Sequence, residues 1–142
     1  MTDEGIKLEF NVVGGNFSDA GEAASKIKNI LKQLGIKYEI IKRVAIASYE
    51  AEMNIVAYAV NGVIKADIGT DEIAVTATDN GPGIPDIEQA MREGFSTAPP
   101  EVREMGFGAG MGLPNIKKSS DWMNLNTVLN EGTKLEFRIK LK

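Results

Sequence analysis

Residues 134–141 read Lys-Leu-Glu-Phe-Arg-Ile-Lys-Leu, so Leu135, Phe137, Ile139 and Leu141 alternate with Lys134, Glu136, Arg138 and Lys140. Successive side chains of a strand point to opposite faces, and this alternation predicts a strand with one face covered and the other in water. Ile6, Leu8, Phe10 and Val12 repeat the pattern near the other end of the chain, between Lys7, Glu9 and Asn11. One-faced strands are typical of antiparallel sheets, and their apolar side needs a second layer to bury it.

Helices can supply that layer. Ser18 or Asp19 can cap a helix whose Ala20, Ala24, Ile27, Leu31 and Leu34 recur at spacings of three and four, with Gly35 as its stop. From Glu39 to Asn61 the chain is rich in Ala, Ile, Val, Met and Glu and lacks Gly and Pro, which predicts a longer helix ending at Asn61-Gly62. That dipeptide could equally be a hairpin turn. Val63–Ile68 and Ile73–Asp79 read as two strands joined by Gly69-Thr70-Asp71-Glu72.

Asn80-Gly81-Pro82-Gly83-Ile84-Pro85 is turn material, and Asp86 can cap a short helix running through Gly94. Phe95–Gly112 contains Pro99-Pro100 and the run Gly106-Phe107-Gly108-Ala109-Gly110-Met111-Gly112, and reads as a long mobile loop. Leu113–Ser120 is compatible with a helix and Trp122–Leu129 with a strand. The expected product is an α+β fold: a largely antiparallel sheet with helices on one face, formed by one domain over residues 1–142.

Composition narrows the function. A net charge of −4, with no basic block, argues against nucleic-acid binding through phosphate contacts. The chain has no cysteine and no histidine, which removes disulfides, thiolate zinc sites, imidazole bases and any internal phosphohistidine. The acidic N-terminus is unlike a secretory signal, and no apolar stretch approaches the ~20 residues that span a bilayer. A cytoplasmic protein that makes no membrane contact is expected.

Four features can carry chemistry. Glu50 and Asn54 lie four apart on the second predicted helix and share a face; they can hold a divalent ion or its water, or merely be solvated. Asp79 has the strand parity of Ile73, Val75 and Ala77, so its carboxylate is expected to point inward, where it must find donors. The exocyclic amine of adenine is one such donor; the following turn is another use for the same residue. The glycine run before a predicted helix can cradle phosphate with backbone N–H groups or serve as a linker. Thr133 shares the parity of Leu135 and Phe137, as a functional hydroxyl or as an ordinary strand residue.

The order Glu50-x-x-x-Asn54, Asp79-Asn80-Gly81-Pro82-Gly83, Gly106 to Gly112, then Gly132-Thr133 resembles the boxes of the GHKL (Bergerat-fold) ATPases from about residue 39 to the C-terminus. Within that superfamily, the short chain and the segment from Asp79 to Thr97 are similar to the bacterial anti-sigma factor kinases and switch kinases. The resemblance implies a two-layer α/β sandwich that binds ATP and Mg²⁺. It implies that Asp79 binds adenine with support from Thr133, that Asn54 helps hold Mg²⁺, and that Gly81 and Gly83 shape the base pocket. Gly108, Gly110, Met111, Gly112 and Leu113 would wrap the phosphates, and Tyr58, Ile84 and Thr97 would complete the nucleotide site. Glu50 would be the general base toward a serine or threonine hydroxyl of a STAS-domain (anti-sigma-antagonist) partner. Tyr58 stands where anti-sigma kinases commonly carry histidine, which is closer to the switch-kinase pattern. The length of Phe95–Gly106 is closer to the anti-sigma form.

The activity so implied is that of an ATP-dependent serine/threonine protein kinase regulating transcription. A different class would be a nucleotide-dependent binding module that sequesters a sigma factor or activates a phosphatase. Retention of Glu50 favours the kinase, because a pure binder needs no base. A detached ATPase half of a sensor histidine kinase is a third reading. A homodimer is a further expectation, since this group often pairs through its N-terminal strand and helix.

Overall fold

The computed structural model describes residues 5–81 and 112–141. Among them the order is β1 (Ile6–Val13), α1 (Glu22–Gln33), α2 (Tyr38–Tyr58), β2 (Asn61–Ile68), β3 (Glu72–Asp79), α3 (Gly112–Ser119), β4 (Trp122–Val128) and β5 (Gly132–Lys140). The strands form one sheet in the order β1-β2-β3-β5-β4, with every neighbouring pair antiparallel.

Alternation sets which face is covered. Ile64, Ala66 and Ile68 of β2, Ile73, Val75 and Ala77 of β3, and Leu135, Phe137 and Ile139 of β5 are buried together with Ile27 and Leu31 of α1, Val44, Ala47 and Ile55 of α2, and Ile116 of α3. The other face stays polar, with the Glu9–Lys65 pair at 3.8 Å and Arg138 stacked 4.6 Å above the Trp122 ring. The expected architecture, an antiparallel sheet with helices on one side, is therefore the observed one. The predicted helix over 86–94 lies outside the described residues, as does the predicted loop over 95–112 except for Gly112, which belongs to α3 rather than to the loop.

Gly35 ends α1 as its sequence position suggests. It adopts φ +74, its N–H meets the Lys32 carbonyl at 3.1 Å, and the Ile36 N–H meets the Leu31 carbonyl at 3.2 Å. This pair of bonds satisfies the last carbonyls of the helix. The start of α1 differs from expectation. Ser18 and Asp19 bond Asn16 within the preceding loop, at 2.9 and 3.0 Å, and the helix begins at Glu22. Its first N–H groups are met instead by Glu52 of α2. The carboxylate accepts from Gly21 at 3.0 Å and Ala23 at 3.2 Å through Oε2, and from Ala24 at 3.0 Å through Oε1.

Glu52 is only 3% exposed, so these donors replace its water, and the positive end of α1 favours its charge. Glu52→Ala would leave the three donors without this acceptor and open a void. An expected loss of about 2–4 kcal/mol in unfolding free energy follows, measurable by urea denaturation. A loss within measurement error would show that the contact does not secure α1.

The end of α2 also departs from the sequence reading. The helix stops at Tyr58, and Asn61-Gly62 is neither helix end nor hairpin turn but the start of β2. The Gly15 N–H takes the Val56 carbonyl at 2.8 Å and the Gly14 N–H takes that of Val60, also at 2.8 Å, so the loop after β1 caps the helix. Pairing of Val13 with Asn61 then draws the chain into the sheet, overriding local helix preference. At its other end α2 is anchored by Arg43, whose Nε donates to the Ser119 carbonyl at 2.9 Å and whose Nη2 lies 3.1 Å from Asp121 Oδ1. That bond fixes the far end of α3 against α2.

Candidate functional site

One row of residues crosses the sheet where β3 ends. Val12 pairs with Gly62, Gly62 with Asp79, Asp79 with Thr133, and Thr133 with Thr127. All five share the helix-covered face of the sheet, because they have the parity of the buried strand residues. Asp79 and Thr133, 54 residues apart in the sequence, are thus side by side on adjacent strands. Thr133 Oγ1 lies 3.1 Å from Thr127 Oγ1, a partner that strand parity with Met123 and Leu125 could have revealed.

Asp79 is partly buried, and its Oδ1 accepts the Gly81 N–H at 2.8 Å. The carboxylate therefore both faces inward and organises the following turn; the two sequence readings are compatible. Burial pushes its carboxyl above the usual carboxylate range, while the backbone N–H groups of Gly81 and Thr133 pull it part of the way back. Folding thus favours the protonated form. The corresponding stability is fully present below the unfolded value of about 3.9 and is lost as pH rises through the higher folded value. Asp79→Asn cannot titrate. In unfolding measured across this range without nucleotide, the variant should gain relative to the parent as pH rises. A pH-independent difference would contradict the burial argument.

Close packing surrounds this residue. A Cβ on Gly81 would sit 3.1 Å from both Asp79 Oδ1 and the Tyr58 carbonyl oxygen. Gly132, at φ +140, brings its Cα so close to the Asp79 backbone that a Cβ would lie 2.0 Å from the Asp79 carbonyl oxygen. Tyr58 is half-buried at the last position of α2. With Gly81 and Asn80 it borders a cavity of about 590 Å³ that also takes in Gly14, Gly15 and Asn130.

The second group belongs to α2 and α3. Glu50 and Asn54 are both half-buried, and both meet the start of α3. Asn115 Nδ2 donates to Glu50 Oε2 at 2.7 Å. A Cβ on Gly112 would stand 3.2 Å from Asn54 Oδ1, so the absence of a side chain there leaves room beside the amide. Leu113 is buried in the core, which leaves its backbone as the part able to meet a ligand. Pro114 is accommodated because the first turn of a helix has no intrahelical use for its missing N–H. Asn115 carries no motif of its own, and its place one turn beyond Gly112 is the signal the sequence offers for it.

The described candidate residues fall into two groups: Glu50, Asn54, Gly112 and Leu113 at the α2–α3 contact, and Tyr58, Asp79, Gly81 and Thr133 at the end of the sheet. Gly83, Ile84, Thr97, Gly108, Gly110 and Met111 lie outside the described residues. Among the described residues no three Asp, Glu, His or Cys side chains converge to hold a metal. Nor is any helix among them long and apolar enough to cross a membrane.

Comparison with known proteins identifies the family and the fold. Residues 27–142 match the family described as histidine kinase-, DNA gyrase B-, and HSP90-like ATPase. The serine/threonine-protein kinase RsbT of Bacillus subtilis is 38% identical over 113 residues, covering 77% of this chain and 79% of RsbT. The anti-sigma F factor of Clostridium perfringens strain SM101 is 29% identical over 145 aligned positions, covering 98% of each. Among solved structures, a chain of the SiaB-SiaC complex from Pseudomonas aeruginosa superposes with a TM-score of 0.64 at 16% identity, covering 93% of this chain and 88% of that one. The mycobacterial sensor histidine kinase MprB gives 0.53 at 13% identity, covering 95% and 97%. At these identities the structural likeness is one of fold.

Proposed function

The chain belongs to the histidine kinase-, DNA gyrase B- and HSP90-like ATPase family, and from that premise we propose that it is an ATP-dependent serine/threonine-protein kinase acting in a sigma-factor pathway, with Glu50 as its general base. The observation that carries the reading is the junction of α2 with α3. There Glu50 and Asn54, on one face of α2, meet Asn115 and Gly112 at the start of α3, and β3 ends in an inward Asp. The relatives named as a serine/threonine kinase and anti-sigma F factors support it.

In this reading Asp79 accepts from the adenine amine, and Thr133 stands beside it as a second polar partner. The N-terminus of α3, with the Gly112 and Leu113 backbone, faces the phosphates, where a helix start favours negative charge. Mg²⁺ is the cation that fits: it commonly keeps waters and phosphate oxygens as ligands and takes only one or two groups from the protein. Asn54 Oδ1 would be such a group, and Mg²⁺ would neutralise charge on the transferring phosphoryl group.

The partner is a STAS-domain protein whose serine or threonine hydroxyl reaches Glu50. Its oxygen forms a bond to the γ-phosphorus, the bond from that phosphorus to the β–γ bridging oxygen breaks, and ADP leaves with the electron pair. The hydroxyl proton passes to the Glu50 carboxylate. The chain has no histidine to serve as acceptor within itself, which is consistent with transfer to a partner. We place the protein in the cytoplasm, where ATP and such partners occur. Incubation of the chain with γ-labelled ATP, Mg²⁺ and a STAS-domain protein should move label onto a serine or threonine. Nucleotide-dependent binding without transfer would replace the kinase by a binding module.

A further inference from the structure

A general base must present one carboxylate oxygen to the attacking hydroxyl, yet the Glu side chain has three rotatable bonds before its carboxylate. Something has to select its orientation. Among the described residues the contact that does so is the 2.7 Å hydrogen bond from Asn115 Nδ2 to Glu50 Oε2. A carboxylate only accepts, so the amide nitrogen must be the atom facing it. Asn115 comes from a different helix, 65 residues away, and is half-buried. Its helix is held at the far end, where the Ser119 carbonyl receives Arg43, and starts beside Asn54 at Gly112. The donor is therefore mounted on a fixed element.

Resting on the reading of Glu50 as the base, we propose that Asn115 is a positioning residue for phosphoryl transfer. Its amide holds Oε2 and so turns Oε1 toward the hydroxyl that attacks the γ-phosphate. Because the same helix begins at the phosphate-facing Gly112, the base and the phosphates are aligned by one rigid piece of backbone. Asn115 does not touch the reacting atoms; it acts through Glu50.

The test uses the full chain with ATP and Mg²⁺ alone, water taking the place of the hydroxyl. Water oxygen bonds to the γ-phosphorus, ADP departs, the proton goes to Glu50, and labelled phosphate is counted in a single turnover. Asn115→Leu keeps similar bulk and removes the donor, and Asn115→Asp keeps the shape and replaces the donor with a like charge. Each should slow hydrolysis about 10-fold or more, the scale expected when a reacting group is misaligned. ATP affinity should change by less than about 3-fold, since the bond is made to the base and not to nucleotide.

In a Glu50→Gln background the same substitutions should have no further effect, because groups acting as a unit are not additive. Equal slowing in both backgrounds would assign Asn115 a purely structural role and overturn the proposal, as would an unchanged rate in the Glu50 chain. If Glu50→Gln alone hydrolyses ATP at the parental rate, the base assignment fails instead. If it slows while both Asn115 variants do not, only the positioning role fails.

Discussion

Glu50→Gln should lower phosphate transfer to the partner's serine or threonine by about 10²–10⁴-fold, the usual contribution of a general base, while ATP affinity stays nearly constant. Gln keeps the shape of Glu50 and loses the ability to take a proton. The residue lies one turn from Asn54 on α2, and α3 closes against both, so a carboxylate here is beside the place proposed for the γ-phosphate. Asn54→Ala should differ in kind, weakening Mg²⁺-dependent ATP binding as well as turnover. Labelled-ATP transfer assays and calorimetry on both variants separate the two roles. A Glu50→Gln protein that still transfers phosphate at the parental rate would remove Glu50 from the mechanism.

Asp79→Asn should weaken ATP binding by about 10- to 100-fold, corresponding to the ~1–3 kcal/mol of a buried polar group left mispaired. The geometry explains why an isosteric change matters. Asp79 Oδ1 is already engaged by the Gly81 N–H at 2.8 Å, and the two carboxylate oxygens leave acceptor sites for an adenine amine as well. Asn has one oxygen. If it serves Gly81, its NH₂ faces the adenine amine; if it serves adenine, its NH₂ faces the Gly81 N–H. Calorimetric titration with ATP and Mg²⁺ of a folded Asp79→Asn chain provides the measurement, and unchanged affinity would end the adenine assignment. Loss of nucleotide affinity together with a relative gain in ligand-free stability as pH rises would show that the carboxylate is held at a cost in the empty fold.

What the sequence determined by itself is what neighbouring residues determine. The alternation of β1 and β5 put Leu8 and Phe10 on one face, and Leu135 and Phe137 on one face, because side-chain direction follows directly from position along a strand. Gly35 stopped α1 because only glycine takes a positive φ there without strain. The inward carboxylate of Asp79 and the shared face of Glu50 and Asn54 follow from the same local periodicities. Tertiary structure decided the features that need a partner distant along the chain. The start of α1 waits on Glu52, 31 residues from Gly21, and overrides the local capping choices at Ser18 and Asp19. The end of α2 is set by Gly15 taking the Val56 carbonyl and by Asn61 entering the sheet. The hold of Asn115 on Glu50 depends on how α3 lies against α2. Periodicity states which way a side chain points, whereas a hydrogen bond between distant segments exists only once packing of the core has brought its two ends together.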